Sequence, residues 1–355
     1  MPNHDIMVIG ASAGGVEAIP AVLKMLPRQM PAAIFAVIHI SPDAPSNFPK
    51  ILSRQAKMPA LHPHDGQPIH KGYIYVAPPD RHLMVEENRI RVVRGPRENR
   101  HRPAIDPLFR SAALAHGPRV VGTILTGALD DGTEGLEAVK KCGGKAIVQN
   151  PEEAVVPGMP MSALRYVEVD HVLSLADIAP VLMKLARTEA KMKKTKACAE
   201  FVKEMRLLER TLTNEQMEGK FGAPSSYICP ECSGPLWETK GGKLPHYRCL
   251  AGHAFSPENL LAGESESIER ALWTAVKTLE ERASLLGRLA NRARELNQST
   301  TMASFREQAE EHVKHANVLR DILVQVVPEK TPQTKSGKPA PLNGIVPGKT
   351  EKPCN

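Results

Sequence analysis

The sequence predicts an α/β fold: a doubly wound, mostly parallel, Rossmann-like sheet, followed by a small cysteine-bearing module and a helical hairpin. Three observations carry this reading. Residues 1–185 alternate short β-branched apolar runs with stretches of helical periodicity, the pattern of a parallel sheet covered on both faces. At the N-terminus Ile6-Met7-Val8-Ile9 runs straight into Gly10-Ala11-Ser12-Ala13-Gly14-Gly15 and then into a helix. That strand, glycine-rich turn and helix form the unit that opens most doubly wound sheets. Beyond residue 224 the composition changes, first to cysteines and glycines and then to long helical stretches.

Each element follows from local pattern. Ile19, Val22, Leu23 and Leu26 stand at helical spacing after the first turn. Further strands are expected at Ala33–Ile40, Gly72–Ala77, Val120–Leu125, Ala146–Gln149 and His171–Leu173, with a hairpin of Leu83–Glu86 and Ile90–Val93. Helices are expected at Phe48–Arg54, Pro107–His116, Thr133–Cys142, Met159–Arg165 and Leu175–Ala186, and Gly143-Gly144 supplies a C-terminal cap. Residues 1–186 therefore form one domain and 187–224 a charged, helical linker. The cysteine-bearing module takes 225–262. In 263–327, Ile268, Leu272, Val276, Leu279, Ala283, Leu286 and Ala290 make a stripe, and Phe305–Val326 makes a second helix after a break at Asn297–Thr301. The tail, 328–355, is rich in Pro, Lys and Gly and is expected to be disordered.

Composition excludes several classes. No apolar run reaches 18 residues and residues 1–5 do not start a signal peptide, so the expectation is a soluble cytoplasmic protein without membrane insertion. The net charge of +7 collects in an arginine cluster (Arg89 to Arg102), in Lys191–Lys196 and in the tail, and aromatic residues make up only 4%. A nucleic-acid partner is not expected, since single-strand binding needs stacking platforms. The six cysteines are spaced too unevenly for a disulfide framework, and Cys142, Cys198 and Cys354 have no evident partner.

The first turn admits two chemistries. As a dinucleotide fingerprint, G-x-G-x-x-G, it needs a glycine where Ser12 stands. As G-x-S-x-G it exposes Ser12 as a nucleophile at a sharp strand-to-helix bend. A bland helix cap is the third option. The second strand runs out into His39 rather than into the acid that a ribose would require. A histidine at that strand end lies on the same sheet edge as Ser12, where a general base is needed. A third strand end, Thr126-Gly-Ala-Leu-Asp-Asp-Gly132, offers Asp130 or Asp131 to orient the imidazole, and one of them to cap the next helix.

At this point six motifs coincide: Ile9-Gly-Ala-Ser-Ala-Gly-Gly15, Val37-Ile-His-Ile-Ser-Pro42, Tyr75-Val-Ala-Pro-Pro-Asp-Arg-His82, His101-Arg-Pro-Ala-Ile-Asp-Pro-Leu-Phe-Arg-Ser111, Leu125-Thr-Gly-Ala-Leu-Asp-Asp-Gly132, and Gln149-Asn-Pro with Gly158-Met-Pro160. In order and spacing, residues 4–186 resemble the chemotaxis protein-glutamate methylesterase family. The resemblance implies hydrolysis of glutamate methyl esters on the cytoplasmic helices of chemoreceptors, often with deamidation of receptor glutamines, and other chemosensory signalling proteins as partners. It implies Ser12 as nucleophile, His39 as base and Asp131 as orienting acid, with no catalytic cofactor. The backbone N–H groups of Ala13 and Gly14 become oxyanion donors. Gly127-Ala128-Leu129 departs from the family's usual Gly-Met-Gly, and Ala13 from its usual threonine. No phospho-acceptor receiver domain precedes Ile6, so control by such a domain in cis is not expected. The basic loop at Arg94–Arg102 has two readings, a surface for an acidic receptor helix or a solvated loop.

Cys229-Pro-Glu-Cys232 and, sixteen residues on, Cys249-Leu-Ala-Gly-His253 have the spacing of a structural zinc site. A segment this small has too little core to fold unaided. Cys229, Cys232, Cys249 and His253 are the expected ligands of a zinc-ribbon-like module, with His246 the competitor for the fourth place. Two other readings stand beside the esterase: a chemosensory adaptor with a degenerate site that recruits partners through its C-terminal part, and a nucleotide-binding domain, which Ser12 and the missing acid disfavour.

Overall fold

The computed structural model describes residues 2–42, 46–191, 222–239 and 243–326. The chain divides into two compact units, residues 1–267 and Ile268 onward. The first unit is built on seven strands: β1 (Ile6–Ala11), β2 (Ala33–Ile38), β3 (Ala60–Leu61), β4 (Ile74–Val76), β7 (Val120–Ile124), β8 (Lys145–Gln149) and β9 (His171–Leu173). They pair in the order β3-β4-β2-β1-β7-β8-β9, every pairing parallel. A hairpin, β5 (His82–Val85) with β6 (Ile90–Val93), stands apart as a two-stranded antiparallel sheet.

Alternation along β1 divides the core. Ile6 and Val8 face one layer with α3 (Ile105–His116), α4 (Thr133–Lys141) and α5 (Gly158–Tyr166). Met7 and Ile9 face the other with α1 (Gly15–Leu23), α2 (Phe48–Gln55) and α6 (Leu175–Leu185). The central strands β1, β2 and β7 are buried on both faces, which is why they read as continuous apolar runs. β1 is central, and the chain crosses from the β2 side to the β7 side of it, so the crevice beyond the carboxyl ends of β1, β2 and β7 is the topological switch point.

Downstream, β10 (Gly222–Ile228), β11 (Pro235–Thr239), β12 (His246–Cys249) and β13 (Ala254–Phe255) form a four-stranded antiparallel sheet. Cys229, Leu236, Cys249, Phe255 and Leu260 make a small core of their own. Helix α7 (Pro257–Glu295) follows at once, and α8 (Ser299–Val326) returns beside it in the second unit. There Val276, Ala283, Leu286 and Ala290 are buried, as the stripe predicts, whereas Ile268 is exposed.

The differences from expectation are local. Helix α1 stops at Leu23 rather than Leu26, just ahead of Pro27, which disfavours helical backbone at the residue before it, and the chain leaves through tighter turns, Met25 N–H to Val22 and Leu26 N–H to Leu23. The two-residue β3 is too short to show a period. β10 begins at Gly222, inside the stretch read as linker; the rest of the 187–224 linker beyond Lys191, and the tail, lie outside the described residues. Cys142 is disulfide-bonded, against the expectation that it lacks a partner. Among the described residues no helix is long and apolar enough to cross a membrane.

Candidate active site

Ser12 is the first residue beyond β1. Its N–H donates to the Thr126 carbonyl past β7 (2.9 Å), and its carbonyl accepts from the Gly15 N–H (2.8 Å), so the loop beyond β7 and the first residue of α1 fix the bend. The turn needs glycine at Gly14, whose φ of 79° lies in the left-handed region. Close approach requires another at Gly127, where a Cβ would stand 2.0 Å from Met159 Sδ and 2.9 Å from Ser12 Cβ. The sulfur beside the nucleophile thus comes from Met159 of α5, next to a loop that carries Ala128 and Leu129.

His39 follows β2. Its Nδ1 lies 3.0 Å from Ser12 Oγ, and its Nε2 lies 2.7 Å from Asp131 Oδ2. A carboxylate can only accept, so Nε2 carries the proton and Nδ1 keeps a lone pair toward the serine hydroxyl. The structure therefore joins Ser12, His39 and Asp131 through one hydrogen-bonded path, with the His39 and Asp131 side chains 7% and 2% exposed.

Asp131 sits in a cage of donors. Oδ2 accepts from the Ile105 N–H (2.7 Å) at the start of α3, and Oδ1 from Asn99 Nδ2 (2.9 Å). Burial alone would raise its pKa, but the hydrogen bond and charge of His39, the Ile105 N–H and Asn99 hold it well below the usual carboxylate range. The buried neighbour Asp106 moves the other way, pushed well up by burial and by the charges of Asp131 and Glu134. Asn99 Nδ2 donates to Asp106 as well (2.8 Å). The two candidates at the strand end have separate positions: Asp130 faces away from His39 and accepts from Ser256 Oγ (2.7 Å) and Asn259 Nδ2.

Between Ser12 and the helix, Ala13 is exposed and Gly14 half-buried. Neither N–H donates to an acceptor among the described residues, which leaves two adjacent backbone donors beside the Ser12 hydroxyl. The His101 ring stacks on His39, centroids 3.6 Å apart and planes 13° from parallel. Burial and the His39 ring push the His101 imidazole down to about 3, so it stacks as a neutral ring.

Asn99 and His101 escaped the sequence reading of single residues because they lie on the loop before α3, where no period marks them. His101 does open one of the six motifs. The basic loop has a use that neither reading anticipated. Arg94 and Arg102 pair with Asp80, Arg97 with Glu231 (3.5 Å), and Arg100 with Glu266. Behind it, buried Arg110 pairs with Glu98 (2.5 Å) and Glu134 (2.8 Å), and Arg248 approaches Glu98 (3.7 Å). Burial would raise the Glu98 carboxyl, but the charges of Arg110 and Arg248 outweigh it and bring it to about 2.

Cys229, Cys232, Cys249 and His253 converge, with all four ligand atoms within 4.8 Å of one another. Cys232 and Cys249 Sγ are 3.6 Å apart, and His253 Nδ1 lies 3.5 Å from Cys249 Sγ and 3.7 Å from Cys229 Sγ. A tetrahedron with Zn–S of about 2.3 Å and Zn–N of about 2.0 Å has edges of roughly 3.5–3.8 Å, so the donor set fits a metal of that size. Each pair sits on a tight turn, Ser233 N–H to the Cys229 carbonyl and Gly252 N–H to the Cys249 carbonyl. His246, the competitor, is elsewhere: its Nε2 lies 3.2 Å from Glu134 of α4.

Comparison with known proteins places the chain in a family. A family model described as CheB methylesterase matches residues 7–182. A putative protein-glutamate methylesterase/protein-glutamine glutaminase of Leptospira interrogans serovar copenhageni is 38% identical over 184 residues, covering 52% of this chain and 95% of that protein. The protein-glutamate methylesterase/protein-glutamine glutaminase of Hydrogenovibrio crunogenus is 36% identical over 190 residues, covering 52% of this chain and 50% of its own. The crystal structure of the Thermotoga maritima CheB methylesterase catalytic domain aligns with a TM-score of 0.50 at 31% identity, covering 52% of this chain and 99% of that one. With that coverage, and with Ser12, His39 and Asp131 on one path at the switch point, the chain belongs to the CheB methylesterase family.

Proposed function

We propose that this protein is a serine hydrolase that removes methyl esters from glutamate side chains on the cytoplasmic helices of chemoreceptors. The observation that carries the reading is the unbroken path from Ser12 Oγ through His39 to Asp131. His39 Nδ1 takes the hydroxyl proton as Ser12 attacks the ester carbonyl. The Ala13 and Gly14 N–H groups face the oxygen that gains charge. The tetrahedral adduct collapses, His39 returns the proton to the methoxy oxygen, and methanol leaves. Water, deprotonated in turn by His39, attacks the acyl-serine and releases the glutamate. Asp131, ionised throughout, keeps Nε2 protonated and stabilises the imidazolium. The same path hydrolyses a glutamine side chain with ammonia as leaving group, the second activity in its relatives' names.

The working compartment follows from such a substrate: the cytoplasm. Zinc is the proposed metal of the Cys229, Cys232, Cys249 and His253 site, where it supplies folding free energy to a segment with little core. All four protein donors converge, so the site is read as structural. The adaptor reading finds no support in a site whose three groups are all within hydrogen-bond reach. The test is methanol release from methylated receptor, with fluorophosphonate labelling of Ser12 in parallel. Ser12→Ala and His39→Ala should each abolish both signals; turnover that survives Ser12→Ala would remove this reading.

A further inference from the structure

The acid's support does not end within the residues that the family model matches. Asn99, only 1% exposed, is held at both ends. Its Nδ2 donates to Asp131 and Asp106, while its Oδ1 accepts from the Ser256 N–H (3.1 Å) and its own N–H donates to the Ala254 carbonyl (2.8 Å). Ala254 is in β13, and Ser256 joins β13 to α7. Both come well after residue 182, where the match to the family model stops. The same junction is fastened a second time. Asp130, adjacent to the acid, accepts from Ser256 Oγ and Asn259 Nδ2, and Ser256 and Asn259 are each 1% exposed. Asn99 adopts a φ of 48°, a conformation asparagine tolerates better than most residues and one held only where the surroundings fix it.

We propose that Asn99 is a positioning residue for Asp131, and that its own place is set by the Ala254–Asn259 junction of the C-terminal module. The inference rests on the esterase reading above. The docked module then forms the outer wall of the active site, neither a tethered receptor-docking domain nor a lid over Ser12. Asn99 delivers a donor to Asp131 Oδ1 while the Ile105 N–H holds Oδ2, and together they fix the plane of the carboxylate. That plane sets the direction in which His39 Nδ1 meets Ser12. Loosening the junction frees the carboxamide to turn, and the carboxylate loses the side-chain amide donor to Oδ1 that helps to orient it. Misplacement of a catalytic group by about 1 Å costs on the order of 100-fold in rate.

The experiment uses full-length variants. Asn99→Asp keeps the acceptor for the Ser256 N–H and loses the donor to Asp131. The double variant Ser256→Ala with Asn259→Ala removes both donors to Asp130 and leaves Asn99 intact. Each is expected to lower kcat for methyl ester hydrolysis by about 10- to 100-fold with KM unchanged. The low-field proton resonance of His39 Nε2–H should weaken or move in both. Ser256→Thr, which keeps hydroxyl and N–H, should stay near wild type; should the double variant fail to fold, Ser256→Ala alone is compared with Ser256→Thr. A double variant with lowered Tm but wild-type kcat and an unmoved resonance overturns the proposal, as does wild-type kcat in Asn99→Asp. Absence of Ser12 labelling and turnover in the unaltered protein instead removes the esterase reading on which it stands.

Discussion

At Asp131 the decisive balance is between burial, which disfavours the carboxylate, and four donors, which favour it; the donors win. Asp131→Asn keeps the shape but offers His39 an amide, which can hold the wrong tautomer. A loss of about 10⁴-fold in kcat is expected by analogy with the same change in another serine hydrolase, measured as methanol release. Asp130→Asn retains an acceptor for Ser256 and Asn259 and should cost less than about tenfold in the same assay, since Asp130 has no bond to His39. Gly127→Ala separates positioning from stability in another way. A methyl group there must displace Met159 or Ser12, so kcat should fall by at least about tenfold, with labelling of Ser12 slowed in proportion. Ser12, His39 and the choice of two aspartates were legible because each stands at a strand end, and strand ends are marked by apolar runs. Which aspartate serves was not legible from the loop alone, because adjacent residues in a loop carry no period; the family resemblance is what pointed to Asp131. Only the bond from Ser256 to Asp130 shows why Asp130 is otherwise engaged.

Among the elements, the central parallel strands were readable because burial on both faces writes an unbroken apolar run into each. The antiparallel sheet β10–β13 was visible only through its cysteines. Its strands carry few apolar residues, and its small core is Cys229, Leu236, Cys249, Phe255 and Leu260. With so little burial, a metal held at the proposed site would contribute much of the module's stability. Purified protein should hold close to one zinc per chain by metal analysis. Cys249→Ser should release it and lower the melting temperature of the module by more than about 10 °C, read by calorimetry. If the protein prepared without chelator holds no metal, the ligand assignment fails, whatever the fate of the esterase reading.

Across the first unit, the contact between the α/β sheet and the module could not be foreseen from composition. Its charges are scattered, with Arg97 and Arg100 on one segment and Glu231 and Glu266 more than a hundred residues away. A cluster of arginines in sequence reads as a solvated face or a partner surface until its counter-ions are located. The burial of Glu98 and Asp130 in this contact gives it opposing pH dependences. Glu98 falls from 4.5 to about 2, so its contribution to stability is present above about 4.5 and is lost as pH drops through 2. Asp130 is raised from 3.8 to about 6, mainly by burial, so its protonated form is the one the fold favours. Its contribution is complete below 3.8 and is lost as pH rises through about 6. The ceiling on that loss is on the order of 3 kcal/mol. Metal binding strengthens over the same interval as ligands lose protons, so the absolute melting curve mixes two effects. The difference between wild type and Asp130→Asn removes the metal's share. Melting temperature measured from pH 4 to pH 7 should rise for Asp130→Asn relative to wild type, with the change centred between about 4 and 6. Parallel curves for the two proteins across that interval would mean that Asp130 titrates as an ordinary carboxylate, and that burial at the Ser256 junction carries no protonation cost.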